Sequence, residues 1–212
     1  MASLNLKSGY QFLRLNSQEF LQEAMRLRFQ VYCRECHFIQ EEEYRQGYES
    51  DEYDNHAVHF GAFNPSGCMV GFSRLILSSC SRFPVEERTP QLNVGLGTTV
   101  HRGVCAEISR FMITRKHKNT SHNEIVNAML TEGRELSFSE RVNPVTFGLG
   151  RAMYQECLQR GIEYCFALME KTCWALMKIY GFHFEPVGPE VDFYGQVRPY
   201  VIRVSDQDGR FE

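Results

Sequence analysis

The sequence predicts an α/β (α+β) fold with a central mixed sheet and helices on both of its faces. Three observations predict this fold: a turn signal between two apolar runs near residue 65, a strand that carries charged side chains at 105–114, and a strand, a helix and a strand in succession over the last third. The chain has 212 residues, of which 43% are hydrophobic, enough for one domain with a full core. We therefore expect residues 1–212 to form a single domain.

The first strand and helix follow from alternation and from a capping signal. Residues 9–15 alternate between apolar and polar side chains, which predicts a strand. Asn16-Ser-Gln-Glu19 then resembles a capping box and predicts a helix that continues to about Cys36. Residues 40–54 contain almost no aliphatic side chain, which predicts a long polar loop that either faces a substrate or is simply solvated.

A hairpin and a further strand come next. Asn64-Pro-Ser-Gly67 is a strong turn signal between the apolar runs 58–63 and 68–77, and it predicts a hairpin of these two runs. Residues 78–103 contain several prolines and glycines and are expected to be irregular. Residues 105–114 then resume as a strand.

The strand at 105–114 carries three polar side chains whose directions matter. In a regular strand Glu107 and Ser109 point to one face and Arg110 to the other, unless a bulge redirects one of them. The later elements are predicted from periodicity and from glycines that end helices: a short helix at 121–130, a mobile segment at 132–141, a helix at 143–160 ended by Gly161, a strand at 162–169, a helix at 171–180 ended by Gly181, and strands at 182–186 and 200–204.

Charged residues occupy positions where an apolar core is expected. Arg28 lies on a helical stripe with Leu21, Met25 and Tyr32, and Arg74 alternates with apolar residues along its strand. A buried cation without a partner is too costly to keep, so carboxylates must lie nearby. The carboxylates with suitable spacing are Glu49, Asp51, Asp54 and Glu107. We therefore predict a desolvated ion-pair network in the wall of a functional site.

The composition excludes some classes of function. The formal net charge of −3 leaves no face-wide basic excess to neutralise phosphates, so we expect no nucleic-acid partner. Residues 1–11 have no apolar run typical of a signal peptide, and no stretch has the length of a membrane span. We therefore expect a cytoplasmic protein without stable membrane insertion, in which the eight cysteines are reduced thiols.

One cysteine motif has two other interpretations. Cys33-Arg-Glu-Cys36-His37 matches the spacing of haem attachment and of half a zinc site. Haem attachment belongs to exported proteins, and a zinc site needs a second ligand pair, which His56 and His59 supply only loosely. Buried reduced thiols at a helix end are the preferred interpretation, and we expect neither a metal nor a tightly bound cofactor.

An ordered set of motifs carries a resemblance to known enzymes. The chain resembles the acyl-homoserine-lactone (autoinducer) synthases and the N-acyl amino acid synthases at Arg28-x-x-x-Tyr32-x-x-x-x-x-Phe38, Glu49-x-Asp51-x-x-Asp54, Arg74-Leu75 and Glu107-Ile-Ser-Arg110-Phe111. It resembles the acyltransferases associated with the PEP-CTERM/exosortase system at Gly161-Ile, Ala167-Leu-Met-Glu170, Gly181-Phe, Pro186-x-Gly188-Pro189 and Tyr194-Gly195-Gln-x-Arg198-Pro199. The resemblance implies a GNAT-type N-acyltransferase fold, with a splayed pair of parallel strands in the sheet.

The resemblance also implies roles for individual side chains. In the lactone synthases the matching charged positions form a cleft that shapes the acceptor site, and the position that matches Glu107 is a proposed general base. We therefore expect Glu107 and Arg110 to be catalytic. The side chains expected to bind substrate are Arg28, Tyr32, Phe38, Asp51, Asp54, Arg74 and Ser109. The alternative interpretation is that these charges pair with one another only as scaffold.

Two departures from the family pattern bear on the substrates. Tyr32 and Phe38 replace the usual phenylalanine and tryptophan, and the missing indole favours an amino acid or another small amine over S-adenosylmethionine as acceptor. Gly148-Leu-Gly150-Arg151 is a poor copy of the pyrophosphate loop of coenzyme-A-using members, and we expect these glycines to serve helix packing. The expected co-substrate is an acyl-phosphopantetheine thioester, on acyl carrier protein in preference to coenzyme A.

A basic run follows the strand of Glu107. Arg115, Lys116 and Lys118 are expected to dock an acidic carrier protein by complementary charge, although an ordinary solvated loop has the same composition. The predicted function is transfer of a fatty acyl group from the thioester to the amine of an amino acid or similar small acceptor. The alternatives are a lactone-type signal synthase and a non-catalytic module that binds acyl chains or carrier proteins.

Overall fold

The structure, a computed structural model, describes residues 4–5, 9–89, 91–92, 100–117, 143–207 and 209. The strands in these residues are β1 Leu4–Asn5, β2 Gln11–Arg14, β3 Ala57–Phe63, β4 Met69–Leu77, β5 Cys105–Ile113, β6 Tyr164–Glu170, β7 Glu185–Pro186, β8 Val191–Asp192 and β9 Gln196–Arg203. They form a mixed sheet in the order β1-β2-β3-β4-β5-β6-β9-β7, and β8 pairs with β9. The predicted helix at 121–130 and the segment at 132–141 lie outside the described residues.

The α-helices in the described residues are α1 Gln18–Phe29, α2 Pro84–Arg88, α3 Pro144–Arg160 and α4 Lys171–Ile179. A π-helix at Gln30–Glu35 and 3-10 helices at Glu41–Tyr44, Glu52–His56, Arg102–Val104 and Val204–Gln207 accompany them. In the described part of the chain, no helix combines the length and the apolar character that a membrane crossing requires.

Strand pairing confirms the predicted mixed sheet with a splayed parallel pair. β5 and β6 are parallel, and their register runs only from Cys105 opposite Tyr164 to Glu107 opposite Phe166. β6 continues beyond this point and pairs antiparallel with β9 up to Glu170. The two parallel strands therefore stay paired at their amino-terminal ends alone, and Glu107 is the last residue of β5 in that pairing.

The chain divides into two compact units. The first contains Met1–Ser50, His59–Ser73 and Arg110–Met153, and the second contains Asp51–Val58, Arg74–Ser109 and Tyr154–Glu212. Each unit has its own apolar core. The prediction of one domain over residues 1–212 stays a prediction.

In the first unit, helices cover both faces of the sheet. Phe72 of β4 is fully buried in a cluster with Ala24 and Leu27 of α1. The opposite face of β4 contacts α3, where the Ser73 hydroxyl donates to the Met153 sulfur at 3.2 Å. Neighbouring positions along β4 therefore pack against different helices, as the period of two in a strand requires.

In the second unit, the sheet also has two covered faces. Ile76 of β4 and Cys105 of β5 pack with Phe83 and Val85 around α2, and these side chains are fully or almost fully buried. A second cluster joins Ala167 and Met169 of β6 to α4, where Trp174 donates its indole N–H to the Phe184 carbonyl at 2.8 Å. α2 and α4 therefore each cover apolar residues of the sheet.

Most predicted elements are confirmed, with corrected ends. The side chain that caps α1 is Ser17, which accepts from Phe20 N–H at 3.3 Å, and the prediction that Asn16 opens the box was wrong by one residue. The helix predicted to reach Cys36 is α-helical to Phe29 and continues as the π-helix. The Asn64 side chain accepts from the Ser66 and Cys68 amides, which confirms the hairpin turn.

Three further differences concern elements that were missed or that start earlier than predicted. The stretch at 78–103, expected to be irregular, contains α2 and the 3-10 helix at Arg102–Val104. The two-residue strands β1 and β8 were not predicted, because runs this short carry no periodic signal. The last strand begins at Gln196, four residues earlier than predicted.

Candidate active site

In the first unit, the Glu49 carboxylate forms ion pairs with two arginines. Its carboxylate accepts a hydrogen bond from Arg28 Nε, and both side chains are fully buried. Arg110 Nη2 donates to Glu49 Oε1 at 2.9 Å, and Arg110 Nε lies 3.3 Å from both carboxylate oxygens. This confirms that Arg28 is buried among apolar residues with a carboxylate partner, and it identifies that partner as Glu49.

The environment keeps Glu49 ionised. Burial by itself would raise the pKa of the Glu49 carboxyl, but the guanidinium charges and hydrogen bonds of Arg28 and Arg110 outweigh burial and lower that pKa below its ordinary value. The cluster therefore contains the negative charge of Glu49 and the positive charges of Arg28 and Arg110, largely shielded from solvent.

Arg110 reaches Glu49 because the backbone of β5 changes direction at this residue. Its φ is +53°, in the left-handed region that costs a non-glycine residue about 1–2 kcal/mol. This conformation interrupts the regular alternation of β5 and answers the question that the strand pattern left open. The Arg110 guanidinium carbon lies 5.3 Å from the Tyr32 ring centroid, and Tyr32 in turn lies 6.3 Å from the Phe38 ring. Arg110, Tyr32 and Phe38 are therefore brought together, as predicted.

Arg74 forms a second cluster, in the second unit. Arg74 is almost fully buried, and its Nη2 donates to Asp51 Oδ2 at 2.7 Å while its Nη1 donates to Asp54 Oδ1 at 2.6 Å. A further contact between Nη1 and Asp51 Oδ1 makes the Asp51 interaction two-pronged. The Ser109 hydroxyl accepts from Arg74 Nε and Nη2, both at 3.3 Å. The structure therefore brings these four residues into contact, and their predicted role in binding substrate stays a prediction.

The two aspartates also shape the local backbone. Asp51 Oδ1 accepts from the Tyr53 amide at 3.0 Å, and Asp54 Oδ2 accepts from the Asp51 amide at 2.9 Å. These reciprocal bonds are a capping box for the 3-10 helix Glu52–His56. Asp51 and Asp54 therefore have two functions: they position Arg74, and they cap the start of a helical turn. Their predicted role in binding substrate stays a prediction.

Glu107 lies in the second unit at the end of the β5–β6 pairing. Only 2% of its surface is exposed, and its Oε2 accepts from the Val85 amide in the first turn of α2 at 2.8 Å. This hydrogen bond and the burial restrict the orientation of the carboxyl group. The arrangement can hold a carboxylate in place at the point where two parallel strands part.

Glu49 was predicted only as one of four candidate partners for the buried arginines, and the structure shows that it binds both Arg28 and Arg110. Two residues near these clusters, Arg102 and Tyr53, were not predicted from the sequence. Arg102 donates to the Ser78 and Cys80 carbonyls, both at 2.8 Å, and lies over Phe83. The Tyr53 ring centroid lies 5.8 Å from the Arg74 guanidinium carbon, and burial together with the negative charge of Glu87 raises the pKa of Tyr53. Arg102 and Tyr53 have no periodic or motif signal in the sequence.

The amino terminus of α3 is fully capped by the chain itself. Asn143 is buried, and its side-chain oxygen accepts from the Val145 amide at 2.9 Å and from the Thr146 amide at 3.2 Å. The Phe147 amide donates to the Asn143 carbonyl at 2.9 Å, and Pro144, the first residue of the helix, has no N–H. The N–H groups that a helix start could offer to a phosphate therefore already have acceptors.

Gly148 lies inside α3 and serves close packing. A Cβ at this position would lie 2.1 Å from Cζ of Phe12, which is far inside van der Waals contact. Because α3 begins at Pro144, Gly148 follows the helix start and forms no loop there. The contact supports the expectation that this glycine serves packing.

The predicted docking residues are partly described. Arg115 and Lys116 are exposed, and Arg115 is held by Glu35, which accepts from its backbone N–H at 3.0 Å. Lys118, the third member of the basic run, lies outside the described residues. The docking role stays a prediction.

Comparisons with known proteins agree with the geometry. The family model of the acetyltransferase (GNAT) domain matches residues 27–127. The acyl-homoserine-lactone synthase LasI is 18% identical, with a TM-score of 0.64, and the match covers 92% of this chain and 89% of LasI. FeeM, an N-acyl amino acid synthase from uncultured soil microbes, is 15% identical, with a TM-score of 0.60, and the match covers 92% of this chain and 90% of FeeM. The chain has the GNAT fold. No curated protein matches it.

A coenzyme-A-dependent relative also has this fold. BjaI, an acyl-homoserine-lactone synthase solved with S-adenosylmethionine and isopentyl-CoA, is 18% identical, with a TM-score of 0.62 and coverage of 88% of this chain and 77% of BjaI. The matched domain model and these solved structures support the prediction that the chain is an acyltransferase.

Proposed function

We propose that this protein transfers a fatty acyl group from a phosphopantetheine thioester to the amine of an amino acid or a similar small acceptor. The observation that carries the proposal is the buried Glu107 carboxylate, held by the Val85 amide at the last paired residue of two parallel strands. A thioester that enters where these strands part would bring its carbonyl carbon near this carboxylate, and backbone N–H groups of the strands would polarise the carbonyl.

The chemistry requires a neutral amine. Free α-amino groups have pKa values near ~8, so a carboxylate that accepts a proton directly or through one water increases the attacking fraction. In the proposed reaction the nitrogen of the neutral amine forms a bond to the thioester carbon, Glu107 accepts the proton that this nitrogen loses, and the C–S bond breaks. The departing thiolate takes that proton back from Glu107, so the products are an amide and a free phosphopantetheine thiol, and Glu107 is again a carboxylate.

In this proposal Arg110 binds the carboxylate of the amino-acid acceptor. A guanidinium group can bind a carboxylate through two hydrogen bonds, and Arg110 is the most exposed of the three clustered arginines, with 15% of its side chain accessible against 0% for Arg28 and 1% for Arg74. Tyr32 and Phe38, next to Arg110, would contact the rest of the acceptor. In this proposal Arg28 supports Arg110 through their shared partner Glu49, and the cluster of Asp51, Asp54, Arg74 and Ser109 in the second unit keeps its predicted substrate-binding role.

The donor is proposed to be acyl carrier protein. The capped start of α3 and the packed Gly148 leave no cradle there for the pyrophosphate of coenzyme A. Arg115 and Lys116, both exposed, together with Lys118 would contact an acidic carrier. Acyl-CoA is the alternative donor, since BjaI was solved with isopentyl-CoA on the same fold.

Lactone synthesis is the second candidate for the reaction. The observation that favours it is the structural likeness to LasI and BjaI, which is as high as the likeness to FeeM. Phe38 in place of an indole favours the amino acid product. Cytoplasmic location and an association with the PEP-CTERM/exosortase system are expectations from the sequence and from the resemblance.

A panel assay tests the function. Purified protein is mixed with C8 to C18 acyl carrier thioesters, or the matching acyl-CoA series, and with amino acids or S-adenosylmethionine. Mass spectrometry should detect N-acyl amino acids formed faster from the carrier series. Lactones formed with S-adenosylmethionine would support the second candidate. Tight thioester binding with no product from any pair would support a non-catalytic binding module and refute the proposal.

A further inference from the structure

Arg102 connects α2 to the chain on either side of it. It lies in the 3-10 helix directly before β5, and its Nη1 donates to the Ser78 and Cys80 carbonyls, both at 2.8 Å. Its Nη2 donates to the Glu86 carboxylate in α2 at 3.2 Å, and its guanidinium carbon lies 4.3 Å from the centroid of the Phe83 ring. One guanidinium group therefore joins the segment after β4, the helix α2 and the start of β5, all within the second unit.

α2 depends on such contacts for its position. It has five residues, and a single helical turn has no stability of its own. The Glu86 carboxylate accepts from the Phe83 amide at 2.6 Å, with the same oxygen that accepts from Arg102. Both members of this ion pair are mostly buried, with 17% of the Glu86 side chain and 25% of the Arg102 side chain exposed. Arg102 therefore stabilises the start of α2 through the Glu86 carboxylate and through the face of the Phe83 ring.

The segment that carries Arg102 also contacts α2 at a second point. Glu107 follows in β5, and its Oε2 accepts at 2.8 Å from the amide of Val85, the residue directly before Glu86. The Val85 side chain is fully buried in the same apolar cluster as Phe83. The Val85 amide therefore moves only when the helical turn moves, and a shift of α2 at Glu86 changes the contact with Glu107.

The terminal nitrogens of Arg102 are already occupied by the chain. Nη1 donates to two carbonyls, and Nη2 donates to Glu86 and, at 3.5 Å, to the Cys80 sulfur. Each terminal nitrogen of a guanidinium group has two N–H groups, so neither has one left for a substrate. Any effect of Arg102 on the reaction is therefore indirect, and α2 supplies the path to Glu107.

We propose that Arg102 is a positioning residue for the acyl transfer. It fixes the start of α2 through the Glu86 carboxylate and the Phe83 ring. The Val85 amide of α2 in turn fixes the orientation of the Glu107 carboxylate. The catalytic meaning of this link rests on the proposed function, in which Glu107 is the base. The link itself is mechanical, and hydrogen exchange measures it without turnover.

Two measurements on Arg102→Met test the link. Methionine keeps an unbranched side chain over the Phe83 ring and removes every donor. Hydrogen exchange of the Val85 amide, followed by NMR, should become faster in the variant, while the amide of Phe166 in β6 keeps its wild-type rate. In steady-state kinetics kcat should fall by roughly tenfold to a hundredfold, the range that a displacement of up to 1 Å can cause, with KM for both substrates within about twofold.

Two further variants check that the ion pair is the cause. Glu86→Ala removes the same ion pair from the other side and should show both changes. Arg160→Met is the matched control, because Arg160 pairs with the mostly buried Glu156 at 2.6 Å in the last turns of α3. Its Val85 exchange rate and its kcat should both stay within about twofold of wild type.

A double variant separates positioning from a general loss of structure. If Arg102 acts through the Glu107 carboxylate, Arg102→Met should slow amide formation by less than about twofold when Glu107→Gln is already present, because the group that it positions is gone. A merely structural role would instead slow the reaction by the same factor in both backgrounds, and it would speed exchange at Val85 and Phe166 alike.

The outcomes separate this inference from the proposed function. An unchanged Val85 exchange rate, an unchanged kcat in Arg102→Met or an equal loss in both backgrounds overturns the positioning role. If Arg102→Met does not fold, the same measurements on Glu86→Ala decide the question. If the wild-type protein forms no acyl product, the proposed function fails and the catalytic part of this inference fails with it, while the exchange measurement still decides whether Arg102 fixes α2.

Discussion

The Glu49→Gln variant tests the buried charge cluster most directly. The substitution keeps the size of the side chain but removes the negative charge that neutralises Arg28, which is fully buried, and Arg110, whose side chain is 15% exposed. Removing one partner of a buried ion pair costs about 3–5 kcal/mol, because the other charge is left desolvated. The remaining amide oxygen still accepts one hydrogen bond, so we expect the lower end, about 3 kcal/mol. With a urea m-value of about 3 kcal/mol/M, the midpoint should fall by about 1 M.

The pH dependence of the same variant has a definite sign. The pKa of Glu49 is lowered in the folded protein, so its ionisation stabilises the fold above its ordinary value of 4.5, and this contribution is lost as the pH falls through the lowered value. The difference in unfolding free energy between wild type and Glu49→Gln should therefore be largest at pH 7 and decrease below about pH 4.5.

A surface pair supplies the control. Glu41 accepts from Arg34 at 3.4 Å, and both side chains are about half exposed, at 48% and 61%. Glu41→Gln makes the same chemical change and should cost less than about 1 kcal/mol. If Glu49→Gln were no more destabilising than Glu41→Gln at pH 7, Arg28 would not be desolvated against Glu49, and the account of the cluster would be refuted.

Three further predictions follow from packing, ion pairing and thiol burial. Gly148→Ala should lower stability by about 1–3 kcal/mol in thermal unfolding, because its Cβ meets the Phe12 ring, and Phe12→Leu should restore part of the loss; equal melting temperatures for Gly148→Ala and wild type would contradict the packing. Arg74→Lys should cost about 2 kcal/mol in urea unfolding, because an ammonium group cannot make the two-pronged contact with Asp51, and a neutral result would argue against that geometry. Iodoacetamide should label three thiols quickly in the native protein, and rapid labelling of more than three would contradict the described burial. The fast thiols are Cys36, Cys68 and Cys173, and the slow ones are Cys33, Cys80, Cys105, Cys157 and Cys165.

Features with a local physical cause could be predicted from the sequence. The helical stripe that includes Arg28 predicts its burial, and the side chain is fully buried. The turn at Asn64 and the ends of α3 and α4 follow from residues that suit left-handed or turn backbone, and Gly161 and Gly181 do have positive φ. These elements depend on residues that are close in sequence, so the sequence alone is enough to predict them.

Features that arise from long-range contacts could not be predicted in this way. Arg110 adopts a left-handed conformation in the middle of a strand, and its contact with Glu49 joins residues 61 positions apart. No local propensity favours that geometry, because tertiary contacts must outweigh its cost. α2 was missed for a related reason, since its five residues contact Glu107 and Arg102, which are distant in sequence, and show no periodicity of their own.

The partners of the charges were predicted only in part. The sequence indicated which residues carry charge in apolar surroundings, and the structure joins Arg74 to Asp51 and Asp54 as expected. It could not indicate that Glu49 accepts from two arginines, since any of the four nearby carboxylates satisfied the spacing argument. Pairing depends on side-chain directions that only the folded backbone determines.

The most direct measurement of the central claim is the single-turnover rate of amide formation in wild type and Glu107→Gln, with the preferred acyl carrier thioester and saturating amino acid. Loss of a general base should slow this step by about 10²–10⁴-fold, and the deficit should shrink as the pH rises and the free amine deprotonates by itself. Circular dichroism should confirm that the variant is folded. A folded Glu107→Gln protein that forms the amide at the wild-type rate would contradict the account.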